Sequence, residues 1–164
     1  MKVTRFFLLA CVVGVGNISL VSAQNKQEKK EQTEQAVRQK IDANNYKINV
    51  NRAYPMKGGS KTLTSSYSLE VKNDSVFSYL PYFGVAYNIP YGGGKGLNFS
   101  APLSDYELEY NKKGAAKIKF KSRNEEDNYT YNVTIYPDGG TNIQVTPVNR
   151  QSISFSGDMD LVKK

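Results

Sequence analysis

The sequence predicts a mainly β protein: one antiparallel meander sheet of about eight strands, curled toward a half-barrel, behind a single N-terminal α-helix. Three observations carry that reading. From Tyr46 to Phe155 apolar and polar residues alternate with period two, in runs separated by turn residues. The turns come at hairpin spacing, with no helical crossover between runs, so neighbouring strands are antiparallel. Helix-forming composition without Pro or Gly is confined to the stretch before Tyr46.

The first 23 of the 164 residues read as a signal peptide. Lys2 and Arg5 precede an apolar run of ten, Phe6–Val15, and Val21-Ser22-Ala23 fits the small-x-small cleavage rule, leaving Gln24 as the new N-terminus. A membrane span would need about 20 apolar residues. The alternative is a lipoprotein anchored through Cys11, since Leu8-Leu9-Ala10-Cys11 matches a lipobox. Against it, the apolar run continues past Cys11, where a lipoprotein turns polar. Cleavage after Ala23 would discard the single cysteine and leave no thiol or disulfide chemistry. A periplasmic or secreted location is expected.

The organisation expected is therefore a signal peptide at 1–23, a charged spacer and helix at 24–45, and an antiparallel β domain at 46–164. The spacer is expected to become helical by about Glu34. Val37 and Ile41, four residues apart, share the face that docks. Tyr46, Ile48, Val50 and Tyr54 then mark the first strand, and Leu63, Tyr67, Leu69 and Val71 the second. Asn73-Asp74 closes a two-residue hairpin into Val76–Leu80, setting Val71 opposite Val76 and Tyr67 opposite Leu80.

The next hairpin fixes its own register. A three-residue loop, Lys112-Lys113-Gly114, with Gly114 left-handed sets Glu109 against Lys117, Glu107 against Lys119 and Asp105 against Lys121. The same register sets Tyr110 on Ala116, Leu108 on Ile118 and Tyr106 on Phe120. Charges match on one face and apolar groups on the other. Tyr129–Tyr136 and Ile143–Val145 flank the turn Pro137-Asp138-Gly139, and Ile153 and Phe155 form a last strand that Gly157 ends.

Leu80–Pro102 breaks the alternation with Tyr82, Phe83, Tyr87, Tyr91, Phe99, five glycines and three prolines. Pro81, Pro90 and Pro102 mark edges, turns or exits. The tyrosines either pack as core or line a groove where rings stack on a sugar or lipid. On the groove reading the ligand contacts are Tyr82, Tyr87, Tyr91 and Arg150.

Much chemistry is excluded or weak. The chain has no histidine, so the commonest general base, metal ligand and nucleophile partner is missing. Removing Lys2 and Arg5 lowers the net charge from +7 to +5, a diffuse excess without the basic stripe of a nucleic-acid binder. Glu107 and Glu109 could form a hydrolase pair, but the register gives both a lysine partner that keeps them ionised. Glu125-Glu126-Asp127 lacks the spaced ligands of a calcium loop and reads as a solvated turn. Gly92-Gly93-Gly94-Lys95-Gly96 lacks the Ser or Thr and the following helix of a phosphate loop. No catalytic residue, metal site or cofactor is expected, and no transmembrane segment in the mature chain. Asp74-Ser75-Val76 resembles a short bacterial O-glycosylation signal on Ser75.

Leu80-Pro81-Tyr82-Phe83-Gly84, Pro90-Tyr91-Gly92-Gly93, Leu97-Asn98-Phe99, Tyr136-Pro137-Asp138-Gly139 and Asn149–Gly157 together resemble the family called domain of unknown function 4251, found in exported Bacteroidota proteins. The likeness spans roughly residues 30–160. It implies export and the fold, and offers no catalytic residues. The function expected is a non-enzymatic binding or envelope-associated module, its partner an unknown ligand or envelope protein. The alternatives are a structural or protein-partner module with no small ligand and, more distantly, a carboxylate-dependent hydrolase.

Overall fold

A computed structural model describes residues 18–88 and 94–161, with backbone alone for 18–24. One helix, α1 (Ile18–Asp42), precedes eight strands: β1 (Asn45–Pro55), β2 (Lys61–Lys72), β3 (Ser75–Leu80), β4 (Leu97–Tyr110), β5 (Ala116–Arg123), β6 (Asn128–Ile135), β7 (Gly140–Pro147) and β8 (Ile153–Met159). Each strand pairs antiparallel with the next, and β8 returns to pair with β1, from Ile48↔Met159 to Pro55↔Ile153. The sheet is thus a closed barrel, which corrects the expected half-barrel. Closure gives every strand two neighbours and leaves no edge.

Two local devices let the sheet close. β1 bulges between Val50 and Arg52 against both β2 and β8, adding bend where the seam forms. Opposite the bulge sits Gly157, whose missing side chain admits the neighbouring strand: a Cβ there would collide with the Asn49 carbonyl. Gly157 therefore lies inside β8, which runs on to Met159, and does not end the strand as expected.

The hairpin registers follow the local sequence. Val71 faces Val76 across the Asn73-Asp74 turn, with Asn73 left-handed at φ 53°. Between β4 and β5, Glu109↔Lys117, Leu108↔Ile118 and Glu107↔Lys119 pair as expected, around Gly114 at φ 79°. The expected Asp105 rung differs. Asp105 turns left-handed (φ 52°) and bulges the strand, so Ser104 faces Lys121. The side chains still meet, with Asp105 Oδ2 2.8 Å from Lys121 Nζ.

β4 also starts earlier than the alternation indicated. Leu97–Pro102, read above as part of a loop, pairs with Ser75–Leu80. Pro102 is the last residue on β3, and pairing with β5 begins at Leu103. A residue with no amide proton stands where the strand changes partners.

Aromatic side chains fill the interior. Phe99 stacks on Tyr129 at 4.5 Å and Phe120 on Tyr131 at 4.8 Å. Tyr46, Phe120, Tyr129, Tyr131 and Phe155 are each less than 2% exposed. The hydroxyls of Tyr46, Tyr106 and Tyr131 are buried without a well-formed hydrogen bond. Burial raises the pKa of all three, and Tyr46 and Tyr106 lie close enough to raise it further at Tyr46.

The helix is longer than expected, beginning at Ile18 rather than near Glu34. Among the helix residues whose side chains are described, Val37 and Ile41 of the last turns are buried against the barrel. Left-handed Asn44 stops it, its amide bonding to the Ile41 carbonyl at 2.9 Å. The Tyr110 hydroxyl donates to Asp42 (2.8 Å), and Arg38 lies over the Tyr110 ring. All these contacts sit at one end of the barrel, with the turns at 43–44, 111–115 and 136–139. No helix of the described residues is long and apolar enough to cross a membrane.

Candidate functional site

Antiparallel topology sends the other loops to the far end of the barrel. Segments 56–60, 81–88 with 94–96, 124–127 and 148–152 gather there, because each is separated from the next by two strands. Three of them meet at Arg150. Its side chain is 6% exposed, and Nη2 donates to Glu126 Oε2 at 2.7 Å. Its Nε lies 3.9 Å from Asp127 Oδ2, within ion-pair range but too far for a hydrogen bond.

The acidic loop is folded around this guanidinium. Asp127 accepts from the backbone amides of Asn128 (2.8 Å), Val148 (3.0 Å) and Asn149 (3.1 Å). Asn124 Oδ1 takes the amides of Glu126 and Asp127, as an Asx turn does. The expectation of a solvated turn is therefore wrong for Glu126 and Asp127. Buried carboxylates need donors, and the next loop supplies them.

The aromatic segment is tied to the same cluster. Glu126 Oε1 accepts from the Lys95 amide at 2.8 Å. The glycines here have a spatial reason: a Cβ at Gly94 would lie 2.5 Å from Glu126 Oε2 and 2.7 Å from Arg150 Nη2. Ala86 bridges Arg150 in antiparallel fashion, flanked by the bonds Tyr87 N to Asn149 O (2.8 Å) and Gln151 N to Val85 O (3.0 Å). The Tyr82 hydroxyl shares its one proton between the carbonyls of Val85 and Gln151, both at 3.0 Å. Arg150 lies 5.7 Å from the Tyr82 ring. Burial raises the Tyr82 pKa, against the opposing pull of the Gln151 bond and the Arg150 charge.

The structure thus joins Tyr82 and Arg150: the Tyr82 hydroxyl and Arg150 Nη2 are occupied internally, while Arg150 Nε is buried without a hydrogen-bond partner. Tyr87, whose amide bonds to the Asn149 carbonyl, is 68% exposed, and Val85, two residues before it, and Val148, next to Asn149 in the chain, are exposed as well. Tyr91 lies outside the described residues, as do Pro90, Gly92, Gly93 and Cys11. Ser75 opens β3, partly exposed, between Lys72 and Pro102. Ala23 and Gln24 fall within the backbone of α1. Glu107 pairs with Lys119 at 3.6 Å on the outer wall, far in sequence and fold from the loop cluster. No group of acidic or sulfur side chains among the described residues is arranged to hold a metal ion.

Sequence reading missed Glu126, Asp127 and Gln151 as partners of the loop. The signal was available. β6 and β7 have equal length, so the segments before β6 and after β7 must adjoin. An acidic pair in one and an arginine in the other should then meet.

No curated protein matches the sequence. A crystal structure of a DUF4251 family protein from Bacteroides eggerthii is similar in fold, with a TM-score of 0.59 at 17% identity, over 77% of this chain and 86% of that one. The family model Domain of unknown function (DUF4251) matches residues 28–159, and the chain belongs to that family.

Proposed function

We propose that the chain is an exported, non-enzymatic envelope module that engages a protein partner through the loop end of its barrel, at Val85, Tyr87 and Val148. The observation that carries this reading is the division of labour around Arg150. Tyr82 and Arg150, the residues best suited to select a small ligand, hold the loops together, and the Arg150 side chain is enclosed with only 6% exposed. Tyr87 is left exposed, as are Val85 and Val148 on the same two backbone-bonded segments. A rigid aromatic anchor beside apolar side chains is the usual centre of a protein interface. Of the three acids in the 124–127 loop, Glu126 and Asp127 are committed to Arg150 and to backbone amides, which leaves neither as a general acid or base, and Glu125 is exposed to solvent rather than set in a cleft. The absence of histidine from the sequence supports the same conclusion. Export rests on the N-terminal sequence pattern.

Site-specific photocrosslinking in a producing cell tests this. A photoreactive phenylalanine at Tyr87 should give a discrete adduct with one envelope protein, whereas the same group at exposed Tyr136, at the opposite end of the barrel, should not. Failure to crosslink at positions 85, 87 and 148 alike would retire the reading.

A further inference from the structure

The outer wall of the barrel is not uniform. On β5 to β8 the outward residues are polar, as in Lys117, Lys119, Asn132, Asn142, Gln144 and Ser154. On β3 they are Phe77 and Tyr79, 45% and 48% exposed. The pleat places both rings on one face, roughly 7 Å apart along the strand. Half-buried Tyr67 backs Tyr79, with ring centroids 5.4 Å apart. The Tyr79 ring is therefore held in place rather than free to fold away.

Cross-strand pairing surrounds these rings with polar side chains. Phe77 stands between Glu70 and Ser100, and Tyr79 between Ser68 and Asn98. None of those four side chains makes an intramolecular hydrogen bond or ion pair among the described residues. Their donors and acceptors face outward beside the rings.

We propose that the outer face of β2–β4 binds a neutral glycan chain, with Phe77 and Tyr79 stacking on sugar rings while Ser68, Asn98 and Ser100 hydrogen-bond the hydroxyls. The chemistry selects this occupant. A sugar ring has apolar C–H faces and a polar rim, and the platform alternates in the same way. A stable protein partner or second copy would need about 800 Å² per side with an apolar centre, and two rings set among polar groups do not supply it. Glu70 is the one charged residue among the four flanking the rings, and exposed Lys72 follows it on the same face, so the platform offers an acidic polymer no net positive charge. The face is the outer wall of a closed barrel rather than a cleft, which suits an extended chain better than a free monosaccharide. This surface is distinct from the Tyr87 end, and the two proposals stand or fall separately.

Affinity electrophoresis of the mature chain in gels carrying laminarin, galactomannan, dextran or alginate tests it. At least one neutral polymer should retard the protein. Tyr79→Ala should weaken that retardation at least fivefold, and Asn98→Ala severalfold with both rings in place. Tyr87→Ala should leave it unchanged, and circular dichroism melts check that each variant folds. No retardation by any neutral polymer, retardation by alginate alone, or full retardation of a folded Phe77→Ala, Tyr79→Ala double variant would overturn the proposal. So would concentration-dependent dimerisation in sedimentation that Phe77→Ala abolishes.

Discussion

Arg150 Nη2 and Glu126 Oε2 lie 2.7 Å apart, in an ion pair whose side chains are 6% and 15% exposed. The pair joins loops 24 residues apart and lies directly beneath Gly94. Removing one member leaves the other charged, enclosed and without its closest partner.

Arg150→Ala should therefore lower stability by about 3–5 kcal/mol. The loss should exceed that of Lys119→Ala, an exposed partner of Glu107, which should cost about 0–1 kcal/mol. Urea unfolding of the two variants against the parent measures both. Equal losses would show that the loop cluster is not an enclosed ion pair.

Gly157→Ala should open the barrel seam. The added methyl group meets the Asn49 backbone, which cannot move without breaking the pairing of β1 with β8. A destabilisation of roughly 1–3 kcal/mol or more is expected. Gly140→Ala is the comparison, since its Cβ would meet the movable Asp138 carboxylate at 3.2 Å. Thermal melts should rank the two in that order, and hydrogen exchange should rise first at β1 and β8.

Interior tyrosines make the protein sensitive to alkali. Burial raises the pKa of Tyr46, Tyr129 and Tyr131 above the ordinary value of 10.0, so the folded state keeps their protons when the unfolded chain has lost them. Their contribution is complete below pH 10 and declines as pH rises from there toward the folded values. The urea midpoint, followed with phenolate absorbance, should fall above pH 10. Tyr131→Phe should flatten that fall. At neutral pH it removes a buried hydroxyl that has no well-formed partner, so stability should hold or rise by about 1 kcal/mol.

The two halves of α1 should behave differently. Ile41 is fully buried at the closed end of the barrel, and Ile41→Ala should cost about 2–5 kcal/mol. Residues 25–32 are exposed and bond only within the helix. A chain starting at Thr33 should melt at the parent temperature, as differential scanning calorimetry would show.

Local order in the chain was legible because its causes are local. Leu108 and Ile118 share a rung, as do Glu107 and Lys119, because Gly114 and a five-residue connection set the register. Alternation likewise assigned the inward faces, Tyr129 and Tyr131 among them. The site was only half visible. Tyr82, Tyr87 and Arg150 stood out by residue type, but Asp127 looked like a solvated acid because nothing nearby in sequence completes it. Its amide donors at Val148 and Asn149 arrive through a hairpin of two strands.

By itself the sequence determined the strands apart from the Leu97–Pro102 start of β4, their order, the registers of the β2–β3 and β4–β5 hairpins next to their turns, and the side of each strand that faces inward. Those follow from period-two patterning and turn chemistry, which act over a few residues. Tertiary structure alone decided that Ile48 meets Met159 to close the barrel, and that Arg150 is enclosed at its open end. Closure sums the twist of eight strands, the bulges in β1 and β4, and the close approach that Gly157 permits. No window of neighbouring residues holds that sum.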